Sequence, residues 1–168
     1  MRPLQVRALQ VRPMQAEEIE RVRVICAMLP EAPQWTGWQW RQMLTGGEVQ
    51  RIALVATVNG GENIGENAEA EAGIVGVAVA SVVLEDAELE TIAVAGAWQR
   101  CGVGRRLLEG LMQHCAEVAA RRLMLEVRAS NQAAQRLYSI AGFTETGRRP
   151  GYYRDPAEDA VRMECWLA

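Results

Sequence analysis

A single histidine, His114, stands in the whole chain of 168 residues, and a single phenylalanine, Phe143. With one histidine, any His-based catalytic triad would have to use His114, whose neighbours read as a helix surface. The four cysteines, Cys26, Cys101, Cys115 and Cys165, are widely spaced and form no C-x-x-C pair. A Cys/His metal site is therefore unsupported, and no metal is expected. Free, mostly buried thiols in a reducing, cytoplasmic setting are the expectation. No stretch approaches the roughly 20 consecutive apolar residues of a membrane span. Arg2, Arg7 and Arg12 are followed by no apolar run and cleavage site, so no signal peptide is expected either. The formal net charge of −3 supplies no basic surplus to hold a nucleic-acid backbone. Neither a nucleic-acid nor a membrane partner is expected.

What is present is ordinary for a globular protein. Hydrophobic residues make up 49% and charged residues 23%, and the length suits one domain, 1–168, with its own core. Gln5–Arg12 alternates apolar and polar residues up to Pro13, the pattern of a first strand. Glu17 to Leu29 has helical spacing with acidic residues in its first turn, stopped by Pro30 and Pro33. Gln34–Leu44 reads as a short helix and gathers Trp35, Trp38 and Trp40, which either cover a core or line a cleft. Strands are expected over Arg51–Val58, Ile74–Leu84 and Glu88–Ala95. Asn59–Gly73, rich in Gly, Asn, Glu and Ala and without apolar period, reads as a long flexible hairpin connection.

Beyond residue 100 the pattern becomes helical. Val103, Leu107, Leu108, Leu111, Cys115 and Val118 share one stripe of a strongly amphipathic helix. Arg122–Arg128 alternates as a short strand, Asn131 can cap a helix that Gly142 can end, and strand-like pieces follow around Phe143–Thr146 and Val161–Leu167. The predicted class is α+β, with a β–α–β unit in the second half and no internal repeat.

Between the third of those strands and the amphipathic helix lies Gln99-Arg100-Cys101-Gly102-Val103-Gly104-Arg105. A loop of this kind turns backbone N–H groups outward where the helix dipole adds positive potential. Gly102 and Gly104 let the backbone approach an anion closely, and Arg100, Arg105 and Arg106 add full charge. The loop suits a pyrophosphate, but it is neither a P-loop nor G-x-G-x-x-G, since position 107 is Leu, which disfavours ATP and NAD. Tight packing alone would also explain the glycines. Cys101 sits in positive potential, yet no base of its own is visible, so a nucleophilic role is not favoured.

Four ordered motifs then carry a resemblance: Thr91-Ile92-Ala93-Val94; Gln99-x-x-Gly102-x-Gly104; Leu125-Glu126-Val127-Arg128-Ala129-Ser130-Asn131; and Leu137-Tyr138-x-x-x-Gly142-Phe143. Together they resemble the GCN5-related N-acetyltransferase (GNAT) superfamily. Arg149-Pro150-Gly151-Tyr152-Tyr153 and Asp159-Ala160-Val161-x-Met163 are similar to its RimI-type ribosomal-protein-alanine N-acetyltransferases. The resemblance is close over 88–167, its acetyl-CoA motifs lie in 88–143, and earlier it extends to Trp35-Thr36 and Trp40. It implies a GNAT fold, a mostly antiparallel mixed sheet of about seven strands with splayed central strands and about four flanking helices. It implies acetyl-CoA as co-substrate, with Ile92, Ala93 and Val94 offering backbone groups to the pantetheine arm. Arg100, Cys101, Gly102, Val103, Gly104 and Arg105 would cradle the pyrophosphate, and Asn131 would touch the cofactor beyond the splay. Two departures stand out: Thr91 and Ala95-Gly96 replace the family's usual Asn and Asp-Pro, and Gly151 replaces the usual Asn before the tyrosine pair.

The chemistry selects further residues. A free α-amine with a pKa near 8 needs about 1.4 kcal/mol to be neutral at pH 7, and a lysine near 10.4 needs about 4.6 kcal/mol. A carboxylate suffices as base for the former. Glu126, between Leu125 and Val127, is the candidate base, against the plainer reading of a salt bridge to Arg128; Glu90 is the alternative base. Tyr138 is the candidate acid for the departing thiol, against simple packing beside Leu137 and Phe143. Trp35, Tyr152 and Tyr153 either wall an acceptor groove or are ordinary aromatics. The resemblance implies transfer of an acetyl group to a primary amine, most directly a protein N-terminus such as that of a ribosomal protein. A small-molecule amine or lysine as acceptor, and a non-catalytic acyl-CoA-binding domain, are the competing readings, and no oligomeric state can be read from the residues.

Overall fold

The computed structural model describes residues 9–58 and 73–168. One seven-stranded sheet runs through it in the order β1-β2-β3-β4-β5-β7-β6. Its strands are β1 (Leu9–Pro13), β2 (Gln50–Val58), β3 (Gly73–Val83), β4 (Asp86–Val94), β5 (Arg122–Arg128), β6 (Thr144–Arg154) and β7 (Ala157–Trp166). The helices are α1 (Ile19–Ala27), α2 (Gly37–Thr45), α3 (Val103–Glu117) and α4 (Gln132–Ile140). Every neighbouring pair is antiparallel except β4 and β5, which α3 joins as a parallel pair. The expected α+β class and sheet are therefore what the chain adopts. The connection expected over Asn59–Gly73 lies, apart from Gly73, outside the described residues.

Two apolar layers sandwich the sheet. On one face the α3 stripe, Val103, Leu107, Leu108, Leu111 and Cys115, packs on Leu54, Ala78, Leu123, Leu125 and Val127, with Tyr138 and Phe143 from the α4 region. On the other, Val22 and Cys26 of α1 and Trp40 of α2 cover Val55, Val77, Val79 and Ala93. The tryptophan cluster divides accordingly. Trp40 is fully buried with Trp35 edge-on to it at 5.0 Å between ring centroids, while Trp38 is exposed. Gly76 permits the closest helix–sheet approach, since a Cβ there would lie 2.9 Å from Leu107 Cδ1.

Local chemistry sets the helix ends. Thr36 caps α2 reciprocally with Gln39, its Oγ1 accepting from Gln39 N at 3.2 Å and its N–H donating to Gln39 Oε1 at 2.7 Å. Asn131 Oδ1 accepts from Ala134 N at 3.1 Å, and Gly142 ends α4 at φ 97°. Both roles of Asn131 and Gly142 as helix punctuation match the reading from sequence.

Two features of the sheet build the cleft. First, Val79 pairs with Thr91 and Ala80 with Leu89, so Glu90 is an extra residue, a bulge in β4. Ala87 and Leu89 before it face the α3 layer, whereas beyond it Ala93 turns to the α1–α2 layer. Second, β4 and β5 pair only over Asp86–Glu88 and Arg122–Met124. Ile92–Val94 stays paired to β3 and Glu126–Arg128 to β7, but the two do not pair with each other, which opens the sheet like a V.

Candidate active site

The loop before α3 meets one arm of that V. Gly102 is the α3 N-cap residue at φ 84°, with nothing within 4 Å of where a Cβ would sit, and Arg100 is also left-handed at φ 61°. Arg106 N is the first amide to donate within the helix, to Gly102 O at 3.1 Å. By helix geometry the amides of Val103, Gly104 and Arg105 have no intrahelical acceptor, so they and the dipole face outward together. The donor set thus fits an anionic pyrophosphate. Arg105 Nε donates to Glu109 at 2.8 Å, and Arg106 lines a polar groove against β1 with Glu109 and His114. The Cys101 Sγ lies 3.5 Å from Gln99 O, while Cys26, Cys115 and Cys165 are buried. The Val94 carbonyl of β4 accepts from Gln99 Nε2 at 3.1 Å, so the loop is tied to the strand it follows. Ile92 and Val94 are half-buried and Ala93 is buried.

Across the V, Glu126 projects from β5 onto the face opposite α3. Its side chain is 18% exposed, open enough to meet a solute. The salt bridge to Arg128, the plainer alternative for Glu126, is not formed; Arg149 Nη1 of β6 donates to Glu126 Oε1 at 2.9 Å. Arg128 is occupied elsewhere, by Glu158 Oε2 at 3.2 Å and the carbonyls of Asp155 and Pro156 at 3.0 and 3.1 Å. Its guanidinium also lies 4.2 Å from the Tyr153 ring centroid. Glu158 in turn accepts from the Ser130 amide, which links the end of β5 to the β6–β7 hairpin. Glu90, the alternative base, is held by Arg51 Nε, 3.1 Å from each carboxylate oxygen.

Tyr152 and Tyr153 pack edge to face, 5.1 Å between centroids, and Arg149 stacks on Tyr152 at 5.1 Å. The Glu126 carboxylate beside the Tyr152 hydroxyl is the main cause of that phenol's raised pKa. For Tyr153 burial acts first and Tyr152 and Glu126 next, all raising it. Gly151, the departure from the family pattern, has φ 60° and donates its N–H to Asp159 Oδ1 at 2.8 Å. Glycine adopts that conformation freely and asparagine tolerates it better than most residues, so the replacement conserves the backbone shape.

Tyr138, on α4, is 5% exposed and lies 5.7 Å from Phe143 between ring centroids, within the α3-side core. Burial, followed by the negative charge of Tyr153 and Glu31, pushes its hydroxyl well above the usual phenol range. Asn131 makes a second contact beyond its cap: its Nδ2 donates to Glu31 Oε2 at 2.7 Å, bridging from the α1–α2 connection. Trp35 is half-buried and packs against the α1–α2 core. Glu31 and Arg149 are neighbours of the site that sequence reasoning did not select. Arg149 had a signal in the Arg-x-x-Tyr-Tyr segment; Glu31, a hundred residues from Asn131, had none.

A bulged β4, a V between parallel central strands and an anion-binding loop at the start of α3 define a GNAT-type acyltransfer fold. The sequence profile of the Acetyltransferase (GNAT) family matches residues 29–143, and the chain belongs to that family. The [Ribosomal protein bS18]-alanine N-acetyltransferase of Haemophilus influenzae is 41% identical over 97 residues, 56% of this chain and 66% of that one. Its Escherichia coli K12 counterpart is 47% identical over 88 residues, 51% of this chain and 60% of that one. These alignments span less than two thirds of either relative. The crystal structure of the ribosomal-protein-S18-alanine N-acetyltransferase from Escherichia coli superposes with a TM-score of 0.73 at 29% identity, covering 96% of this chain and 95% of that one. Among the described residues no helix is long and apolar enough to cross a membrane.

Proposed function

We propose that this protein transfers the acetyl group of acetyl-CoA to the N-terminal α-amine of a protein, with a ribosomal protein such as bS18 as the acceptor class. The identity to bS18-alanine N-acetyltransferases, 41% over 97 residues and 47% over 88, supports the acceptor. The observation that supports the chemistry is that β4 and β5 part beyond Glu88 and Met124, with Glu126 on the opened stretch of β5 and Tyr138 on α4, the helix that follows it. Acetyl-CoA supplies an acyl group activated as a thioester. The amides of residues 100–105 and the edge of β4 at Ile92–Val94 would hold it, with Asn131 beside it.

In this reading Glu126 accepts the proton that the attacking amine sheds, and Tyr138 donates a proton to the leaving thiol. The raised pKa of Tyr138 keeps the phenol protonated at neutral pH, the form the role requires, while making it a weaker acid than a free phenol. Tyr152 and Tyr153 wall the approach of an extended acceptor, a surface that a small free amine would not require. Trp35 supports this wall through the α1–α2 core. The chain acts as a single domain, without a metal, in the cytoplasm; its free thiols suit that compartment.

The test is turnover with acetyl-CoA and a panel of N-terminal peptides, lysine peptides and small amines, followed by thiol release. Acetylation of alanine-initiated peptides is expected; turnover confined to small amines or lysine side chains would overturn the acceptor assignment.

A further inference from the structure

We propose that Arg149 is a positioning residue for catalysis, holding the Glu126 carboxylate toward the acceptor amine and fixing Tyr152 beside it. The proposal rests on the reading of Glu126 as the base. The geometry is unusual, because Arg149 belongs to the edge strand β6 and Glu126 to β5, with β7 between them. Glu126 has two nearer arginines on the same face: Arg162, its register partner on β7, and Arg128, two residues along β5. Neither takes it. Arg128 is committed to Glu158 and the hairpin carbonyls, while Arg149 reaches past fully buried Ala160, its own register partner, to Glu126 Oε1 at 2.9 Å.

A deformation of β6 aims that side chain. Arg149 pairs with Ala160 and Tyr153 with Glu158, so Pro150, Gly151 and Tyr152 stand opposite Asp159 alone. The left-handed Gly151 and its hydrogen bond to Asp159 Oδ1 pin this bulge. Bulges beside active sites commonly re-aim side chains, and this one turns both Arg149 and Tyr152 onto the carboxylate. The same guanidinium bonds Glu126 and stacks on Tyr152, so the base and the groove wall share one support.

The pairing costs the base little that it needs. For an α-amine with a pKa near 8 the neutral form is disfavoured only about tenfold at pH 7, or about 1.4 kcal/mol, so a weak base suffices and its placement matters more than its basicity. A carboxylate at the end of a flexible side chain loses that placement when its partner is removed.

The experiment is a double-mutant cycle of R149Q and E126Q, with R149K alongside, reading kcat, both KM values and the thermal midpoint. R149Q is expected to lower kcat at least about tenfold, with KM for acetyl-CoA and the midpoint unchanged. R149K, which keeps the charge within reach of a single carboxylate oxygen, should recover kcat to within about threefold of the parent. In the E126Q background, R149Q should remove no more than about twofold further, because its effect passes through the missing carboxylate. An R149Q kcat within twofold of the parent, or losses that multiply in the double variant, would overturn the positioning role. E126Q with the parent's kcat would instead sink the base assignment, a result visible in that single variant.

Discussion

Tyr138 owes its raised pKa first to burial, and the same burial makes it look like a core residue. Only the hydroxyl separates the two roles, so Tyr138→Phe removes the proton donor while the ring still packs on Phe143. kcat should fall about a hundredfold, within the range of general acid–base contributions, and acetyl-CoA affinity by titration calorimetry should stay within about threefold. A kcat within threefold of the parent would leave Tyr138 as packing alone. Gly151 gives a second test at this scale. At φ 60°, Gly151→Asn should leave unfolding free energy within about 0.5 kcal/mol, whereas Gly151→Val should cost about 1–2 kcal/mol and raise the peptide KM. Equal stability of the two variants in urea melts would contradict the strain argument.

At the scale of elements, legibility follows burial. The stripe of α3 and the alternation of β5 face one apolar layer each, so the sequence pattern carried both; β5 spans Arg122–Arg128 as expected. The edge strand β6 runs over Thr144–Arg154, far past the expected Phe143–Thr146, because only Gly147 and Tyr153 along it are even partly covered. An exposed edge imposes no alternation. The extra residue Glu90 in β4 was likewise silent, since a bulge exists only relative to a partner strand. That Arg149 rather than Arg128 pairs with Glu126 was silent for the same reason: that β7 lies between β5 and β6 is a fact of topology, not of local spacing. Helix ends were more readable because capping is local chemistry. Asn131→Ala should cost about 1 kcal/mol by chemical denaturation through the lost cap. No measurable loss would mean that another group, such as water, replaces the cap for nothing.

For the whole molecule, the distribution of weak acids fixes where stability fails. All 18 of its Lys+Arg residues are arginine, so between pH 9 and 11 only thiols, phenols and the chain terminus change charge. Three thiols are buried, and burial raises Cys26, Cys165 and, to about 11, Cys115. A folded-state pKa above the unfolded value of 9.0 means that the thiol is neutral in both states below pH 9, and its contribution is fully present there. Between 9 and about 11 the unfolded thiol ionises while the folded one does not, so the unfolded state binds fewer protons and stability falls. Two units correspond to about 2–3 kcal/mol from Cys115, with Cys26 and Cys165 adding in the same direction. Denaturation at fixed temperature across pH 8 to 11 should therefore show a steady loss of unfolding free energy. Cys115→Ala lowers stability at neutral pH by leaving a small cavity, yet its curve should be flatter above pH 9 and converge on the parent near pH 11. Parallel curves for parent and variant would show that the Cys115 thiol ionises alike in both states, and would place the alkaline limit elsewhere.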